Sequence, residues 1–155
     1  MHLKSMIAGL VAMFVGPSTA HAAEADARAA QLMWSAWICS IYAELKGDSQ
    51  EQERLFTLGY SKGRQFIDAA VAGTITPDEG RTIVPMAVGM LMAGPTQEFV
   101  LGRIFESAAG QAFDDVVAED ATGIPLAPAD YVVDDELKAS IATTKYMRSN
   151  CELIR

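Results

Sequence analysis

Apolar side chains recur at three- and four-residue spacings along most of this chain, which is the pattern of amphipathic helices. The first such segment covers about residues 26–46, and Gly47 after it is typical of a helix end. Its apolar positions are Met33, Trp34, Trp37, Ile38, Ile41 and Leu45. The sequence shows neither the strict alternation of a β-strand nor an internal repeat or low-complexity tract. The pattern therefore predicts an all-α fold.

Two further helices carry start signals. Asp48 followed by Glu51 resembles a capping box and predicts a second helix that extends to about residue 72. Thr76, Pro77 and Glu79 form a stronger signal, because they supply a capping side chain, a proline for the first turn and a glutamate that can bond back to the cap. A third helix should begin there.

The third helix contains residues 83–93, IVPMAVGMLMA, which carry no charge. We expect it to be the most buried helix of the fold. Proline lacks the backbone N–H that an inner helical turn needs, so Pro85 should kink the helix or restart it. Met90 and Met92 would fill the core or, alternatively, line an adaptable peptide groove.

The C-terminal half continues the helical pattern. Gly94-Pro95-Thr96 should open a fourth helix that reaches about residue 120, and a last helix should cover about residues 135–149. Between them, the two prolines of residues 121–133 favour an extended segment. These elements predict a compact bundle of about five helices.

The two cysteines lie near opposite ends of the chain. Cys39 falls on the first helix and Cys151 follows the last one. In an oxidising compartment such a pair predicts a disulfide that closes the bundle, and closing so long a loop would stabilise it by about 4–5 kcal/mol. The alternative is a free, reactive cysteine.

The N-terminus has the layout of a secretory signal peptide. Lys4 precedes an apolar run over residues 6–15, and Ala20-His21-Ala22 provides the small residues that favour cleavage after Ala22. The apolar run is about half the length that spans a bilayer, so a retained anchor is the weaker alternative. We expect a signal peptide at residues 1–22, a single helical domain at residues 23–155, and a periplasmic or secreted protein without stable membrane insertion.

Cleavage would remove both histidines, His2 and His21. The mature chain would then lack the usual general base near neutral pH and the commonest zinc ligand, so we expect no cofactor and no metal. Without Lys4, eleven Lys and Arg residues against twenty Asp and Glu give a net charge of −9. Such a surface repels nucleic acid and anionic lipid, and it attracts a basic protein partner.

The stretch GYSKG, residues 59–63, allows two interpretations. Two glycines beside a lysine and a serine resemble a phosphate-binding loop, but both glycines fall within the apolar stripe of a helix, where their N–H groups are already bonded. A glycine inside a helix costs roughly 0.5–1 kcal/mol relative to alanine. We therefore predict a helix-packing notch at Gly59 and Gly63, and we expect residues 83–93 to fill it.

Glu106 is the candidate buried acid. In the predicted fourth helix it projects between Phe99 and Phe113, within an arc that also contains Gly102 and Phe105. A carboxylate there would be an edge residue whose head reaches water or pairs with Arg103 or a basic residue of the second helix, or else a catalytic acid or pH-sensitive switch.

Acidic residues cluster around the end of the fourth helix and the start of the last one. The candidate acidic partner surface comprises Asp114, Asp115, Glu119, Asp120, Asp134, Asp135 and Glu136. No EF-hand spacing is present, so the cluster would be plain solvated charge, a contact surface for a basic partner or a weaker cation site.

The chain resembles the small helical periplasmic immunity proteins that neutralise amidase effectors of type VI secretion. The resemblance covers the exported helical chain, a cysteine on the first helix, a terminal cysteine, and LGYSKG, which is similar to the Gly-Tyr-x-x-Gly helix of that group. That pattern often has a cysteine where this chain has Leu58. The resemblance implies a non-enzymatic inhibitor that binds a secreted enzyme.

The leading hypothesis is thus an exported binding or inhibitory protein with an acidic surface for a basic partner. The alternative is a periplasmic acid-stress chaperone that loosens and exposes apolar surface in acid. A third hypothesis is an envelope enzyme that depends on carboxylates such as Glu106, on a serine activated by lysine, or on Tyr60.

Overall fold

The computed structural model describes residues 18–120 and 123–155. Within these ranges the chain forms six α-helices, two short 3₁₀ turns and no strand, apart from one isolated bridge between Glu119 and Pro125. The elements are α1 (Ser18–Leu45), α2 (Ser49–Ala72), α3 (Pro77–Thr82), α4 (Met86–Met90), α5 (Gln97–Val117) and α6 (Asp135–Arg148), with 3₁₀ turns at Pro128–Asp130 and Cys151–Leu153. The predicted all-α bundle is confirmed. Most of the expected signal segment, including its apolar run, lies outside the described residues.

The predicted helix starts form side-chain caps. The Asp48 carboxylate accepts a hydrogen bond from the Glu51 backbone N–H at 3.1 Å. Thr76 and Glu79 form the full reciprocal capping box, and Thr96 caps α5. Each cap satisfies N–H groups that a helix leaves unpaired in its first turn. Short-range sequence signals therefore identify where these helices begin.

Helix α1 is the centre of the bundle and contacts α2, α5 and α6. It begins eight residues before the predicted start at residue 26. Its buried positions combine the large side chains Met33 and Trp37 with a series of alanines. These are Ala23, Ala27, Ala29, Ala30, Ala36 and Ala43. Because alanine adds little beyond the backbone, the neighbouring helices can approach α1 closely on several sides.

The disulfide between Cys39 and Cys151 closes the bundle. The two Cα atoms lie 5.6 Å apart, and 112 positions separate the residues along the chain. Both cysteines are fully enclosed, with 1% and 0% of their surface exposed. The cystine thus fastens the segment after α6 to the C-terminal part of α1.

The expectation that residues 83–93 form the most buried helix is wrong. Helix α3 ends at Thr82 and the chain restarts as α4 after Pro85, as predicted for the proline. Only Val88 of α4 is buried, whereas Met86 and Met90 are 80% and 76% exposed. A five-residue helix can turn only one narrow side toward the core, and α1 already fills the centre. Met92 is partly buried at the edge of the core.

Gly59 and Gly63 lie buried within α2, so GYSKG forms no loop. A Cβ added at Gly59 would lie 2.5 Å from the Trp37 ring, and one at Gly63 would lie 2.8 Å from the Met33 sulfur and 2.5 Å from Leu101 Cδ2. The glycines therefore do receive close neighbours. These neighbours come from α1 and α5, so the prediction that residues 83–93 would fill the notch is wrong.

None of the helices in the part of the chain that the structure describes combines the length and the apolar character needed to cross a bilayer.

Candidate functional site

Helix α5 has apolar side chains on two faces. One face is buried against the rest of the bundle and consists of Val100, Leu101, Ile104, Ala108, Ala112 and Val116. The other contains Phe99 and Phe113, which are 50% and 46% exposed, and Gly102, which is exposed as well. The arc expected to face the core is thus split: Phe99, Gly102 and Phe113 are exposed, Phe105 and Ala109 are partly buried, and Val116 and Val117 are buried. Periodicity alone could not separate two apolar faces of one helix, and the aliphatic and alanine face fits closer to α1.

Glu106 is exposed, so the expectation of a buried acid is wrong. It lies nearly opposite the buried face of α5. Arg103 does not pair with it, because the guanidinium donates to the Ala93 carbonyl at 2.6 Å and lies 5.9 Å from the centre of the Phe99 ring. Among the described residues, no ion pair involves Glu106. It is a free carboxylate at the surface.

Aromatic side chains connect the core to the outer surface of α2 and α5. Phe105 contacts Trp37 edge to face at a ring distance of 5.6 Å and Phe56 at 5.2 Å. The Trp37 indole N–H donates to the Phe56 carbonyl at 3.3 Å. Phe56 and Tyr60 are each 41% exposed. Edge-to-face packing of this kind stabilises aromatic pairs, so this side of the bundle presents an aromatic surface that is packed on the core.

Two neighbouring cavities open on this surface, and we call them together the aromatic groove. The inner cavity has a volume of about 160 Å³ and the outer one about 510 Å³. The inner cavity is lined by Trp37, Phe56, Tyr60, Glu98, Leu101, Gly102 and Phe105, and the outer one by Leu91, Phe99, Gly102, Arg103, Glu106 and Ser107. Gly102 belongs to both linings. A Cβ added there would meet nothing within 4 Å, so this lining position shared by the two cavities is open.

Carboxylates lie at the edge of the aromatic groove. Glu98 at the inner cavity accepts from Arg64 Nη1 at 2.6 Å, and only its Oε1 atom takes part. Glu106 lines the outer cavity without a cationic partner in the described part of the chain. Glu53 is exposed on α2 one turn before Phe56 and shares its side of the helix. The groove therefore combines aromatic rings with acceptor oxygens.

The predicted acidic partner surface is used largely within the chain. Asp115 accepts from the Tyr42 hydroxyl at 2.5 Å, and Glu119 pairs with Lys145 at 3.4 Å. Burial and the bond to Asp115 raise the pKa of Tyr42 well above its usual range. Asp114 and Glu136 are exposed. The other members also have partners, since Asp120 accepts from the Ile124 N–H, Asp134 caps α6 and Asp135 pairs with Lys138.

Another charged cluster lies at the disulfide end of the bundle. Glu51 pairs with Arg54 at 2.7 Å and accepts from the Tyr146 hydroxyl at 2.5 Å. Arg54 also donates to the Ile154 carbonyl at 2.9 Å, and Lys46 lies 4.0 Å above the Tyr146 ring. The hydrogen bond from Arg54 lowers the pKa of Glu51 to about 2, while burial and the bond to Glu51 raise the pKa of Tyr146 to about 12. We call these contacts the C-terminal clamp.

Sequence reasoning missed both the aromatic groove and the C-terminal clamp. Tyr146 and Glu51 are 95 positions apart, and no short motif indicates that they meet. The groove left one signal, namely the aromatic residues Phe99, Phe105 and Phe113 in the arc around Glu106 on the predicted fourth helix. Among the residues that the structure describes, no group of three or more His, Cys, Asp or Glu side chains could hold a metal ion.

In comparisons with protein-family models, curated proteins and solved structures, nothing matches this chain. The geometry of these sites is therefore the basis for inferring a function.

Proposed function

We propose that this protein is an exported binding or inhibitory protein, similar in role to the immunity proteins that it resembles. In this proposal the aromatic groove is the contact surface for a basic protein partner. One observation carries the proposal: the aromatic side chains of Phe56, Tyr60 and Phe99 stay exposed beside carboxylates at the edge of the groove. Buried aromatic anchors dominate protein interfaces, and a contiguous exposed apolar surface on a water-facing domain is typical of a contact site.

The charge of the chain supports a basic partner. The full sequence has a formal net charge of −8, and Glu53 and Glu106 add free negative charge near the groove. Long-range attraction speeds the encounter of oppositely charged proteins and weakens as salt is added. The acidic residues around α6 would contribute to this attraction at a distance, although most of them are held by bonds within the chain.

We place the protein in the periplasm or outside the cell. The enclosed cystine fits an oxidising compartment, where disulfides form and persist. The signal peptide predicted at residues 1–22 agrees with this placement.

Affinity capture from the envelope fraction of the source cell tests the proposal. Immobilised protein is incubated with the extract at low salt, and the bound material is eluted with a salt gradient. We expect a basic protein to elute, and titration calorimetry with the purified partner should then show saturable binding. If that partner is an enzyme, its activity should fall as the complex forms.

Two double variants provide the matched comparison. Phe56→Ser with Phe99→Ser removes two exposed rings of the groove, while Met86→Ser with Met90→Ser removes two exposed apolar side chains elsewhere. Capture should fail with the first variant and persist with the second. Recovery of no saturable partner at low salt, or equal loss with both variants, would refute the proposal.

An acid-stress chaperone is the second candidate, and the C-terminal clamp favours it. The pKa of Glu51 is lowered from 4.5 to about 2, so its contribution to stability is fully present above pH 4.5 and is lost as the pH falls through about 2. Acid would thus release the last residues from α2 and expose apolar surface. Binding of a hydrophobic dye at about pH 2–3 checks this candidate, and a protein that binds none there is not such a chaperone.

The enzyme hypothesis stays a prediction, and Glu106, one of its candidate residues, is exposed at the lining of the outer cavity.

A further inference from the structure

We infer that the inner cavity of the aromatic groove receives an arginine side chain of the basic partner. The guanidinium would lie against the rings of Phe56 and Tyr60, with the free oxygen of Glu98 as its acceptor. This inference rests on the proposed function, since it names the chemistry by which the partner is held.

The size of the inner cavity indicates a single side chain. Its volume of about 160 Å³ is too small for most small-molecule ligands, whose sites measure roughly 300–1,000 Å³. Leu101 and Phe105 line its wall, so a flexible methylene stem can be buried while the charged group stays near the edge. Arginine has both parts.

The aromatic groove already binds guanidinium groups of its own chain. Arg103 lies 5.9 Å from the centre of the Phe99 ring, within the distance of about 6 Å at which a cation is attracted to an aromatic face. Arg64 donates to Glu98 at 2.6 Å. The first contact is between a guanidinium and a ring, and the second is between a guanidinium and a carboxylate. We assign the same two kinds of contact to the arginine in the inner cavity. The rings of Phe56 and Tyr60 are the exposed ones that neither arginine covers.

Arginine fits better than lysine or an apolar side chain. A guanidinium is planar, stacks on aromatic rings and is more weakly hydrated than an ammonium, so it loses less on entering a partly dry cavity. A leucine would bury the same rings but would offer the Glu98 oxygen no donor, so that exposed carboxylate would stay bonded to water. The difference between arginine and its neutral isostere therefore measures the role of charge.

Gly102 offers a way to close the groove without disturbing the fold. A Cβ there would meet nothing within 4 Å, and the position belongs to the linings of both cavities. Gly110 is a matched control, because it is also exposed within α5 and a Cβ there also meets nothing within 4 Å. A Cβ would thus find open space at each of the two positions, but of the two only Gly102 lines the groove.

The experiment is a titration followed by nuclear magnetic resonance of the ¹⁵N-labelled protein, which detects weak binding. The probes are four short glycine- and serine-based peptides that differ at one central residue: arginine, lysine, citrulline or leucine. With the arginine peptide, we expect shifts at the backbone amides of Phe56, Tyr60, Glu98, Gly102 and Phe105. Citrulline should bind on the order of tenfold more weakly, and lysine should lie between them.

The variants complete the test. Gly102→Leu should abolish the shifts and Gly110→Leu should leave them unchanged, with circular dichroism showing that both variants are folded. Equal binding of citrulline and arginine, tighter binding of leucine, or shifts outside the groove would overturn the inference.

The two proposals can fail separately. If the partner recovered from the envelope binds Gly102→Leu as tightly as the unmodified protein, the proposed function stands and the arginine site is wrong. If the arginine peptide binds in the groove but no partner is recovered, the groove has the expected chemistry and the proposed function is wrong.

Discussion

Two pairs of glycines lie inside long helices of this protein, and their surroundings differ. Gly59 and Gly63 on α2 face Trp37 and Met33 of α1, so closely that no Cβ fits. Gly102 and Gly110 on α5 face open space. Both pairs cost helix stability, because glycine loses more backbone freedom on folding than alanine does. On α2 close packing offsets that cost, whereas on α5 nothing within the described chain does.

The comparison shows that a glycine in a helix has no single meaning. On α2 it marks a contact within the fold. At Gly102 it leaves open a groove that the fold itself does not fill. Substitutions at the two kinds of site should therefore change stability in opposite directions.

Gly63→Leu should have the largest effect. Its Cβ would overlap Leu101 and Met33, both within the core, and overpacking of this kind costs about 3 kcal/mol or more. The melting temperature followed by circular dichroism should fall by roughly 10 °C. Gly110→Leu is the matched control and should not lower it. Unchanged melting of Gly63→Leu would show that α1 and α2 do not need the glycine.

Gly59→Ala should destabilise the protein less. The added methyl group would lie 2.5 Å from the Trp37 ring, which must move away from α2. We expect a net loss of about 1–2 kcal/mol in the free energy of unfolding, measured with urea, after the gain in helix propensity is subtracted. Because the Trp37 indole also donates to the Phe56 carbonyl, its fluorescence should change too. A gain in stability would mean that Gly59, like Gly102 and Gly110, has room for a side chain, and would contradict the close packing against Trp37.

Glu51→Gln tests whether the charge of Glu51 stabilises the C-terminal clamp. The variant should lose about 1 kcal/mol at neutral pH, because Gln keeps a hydrogen-bond acceptor for Tyr146 but loses the charge that pairs with Arg54. Since the pKa of Glu51 is lowered from 4.5 to about 2, the difference from the unmodified protein should shrink below pH 4.5 and vanish near pH 2.

Urea unfolding of both proteins across this pH range measures that difference. Lys46 and Asp48 also face the clamp, and both are present in each protein, so their titration is common to the two curves. A difference that stays constant with pH would mean that the Glu51 charge does not stabilise the fold.

Gly102→Ala should have the smallest effect and the opposite sign. The methyl group meets nothing and reduces the freedom of the unfolded chain, so the free energy of unfolding should rise by roughly 0.5–1 kcal/mol. Gly110→Ala should show the same increase. A loss of stability at Gly102 alone would mean that another part of the protein closes over the groove.

Local features of the fold could be predicted well from the sequence. Asp48, Thr76 and the restart at Pro85 behave as expected because caps and prolines act through atoms a few residues away. The cystine could also be predicted, since two cysteines allow one pairing. Burial was predicted less well. Residues 83–93 carry no charge, yet two methionines of α4 are exposed to solvent. The apolar content of a segment does not show which helix occupies the centre of the bundle.

The candidate site was harder to predict than the fold. Both apolar faces of α5 have helical spacing, so the spacing does not show which of them is buried. Glu106 is exposed because the opposite face packs against the bundle. The two sides of the aromatic groove come from α2 and α5, and the rings of Phe56 and Phe105 meet only after both helices have packed on α1. The periodicity of one helix does not predict which residues of another helix it contacts.

The sequence by itself determined the helices, their caps, the cystine, and the position of two glycines within the stripe of α2. These follow from interactions over a few residues, or from a pairing without alternatives. Only the tertiary structure decided which face of α5 is buried, which side chains fill the α2 notch, and where rings and carboxylates form a groove. Those outcomes depend on which of several apolar surfaces is buried in the one core. Helix α1 occupies the centre of that core, because its small alanines let three helices pack against it.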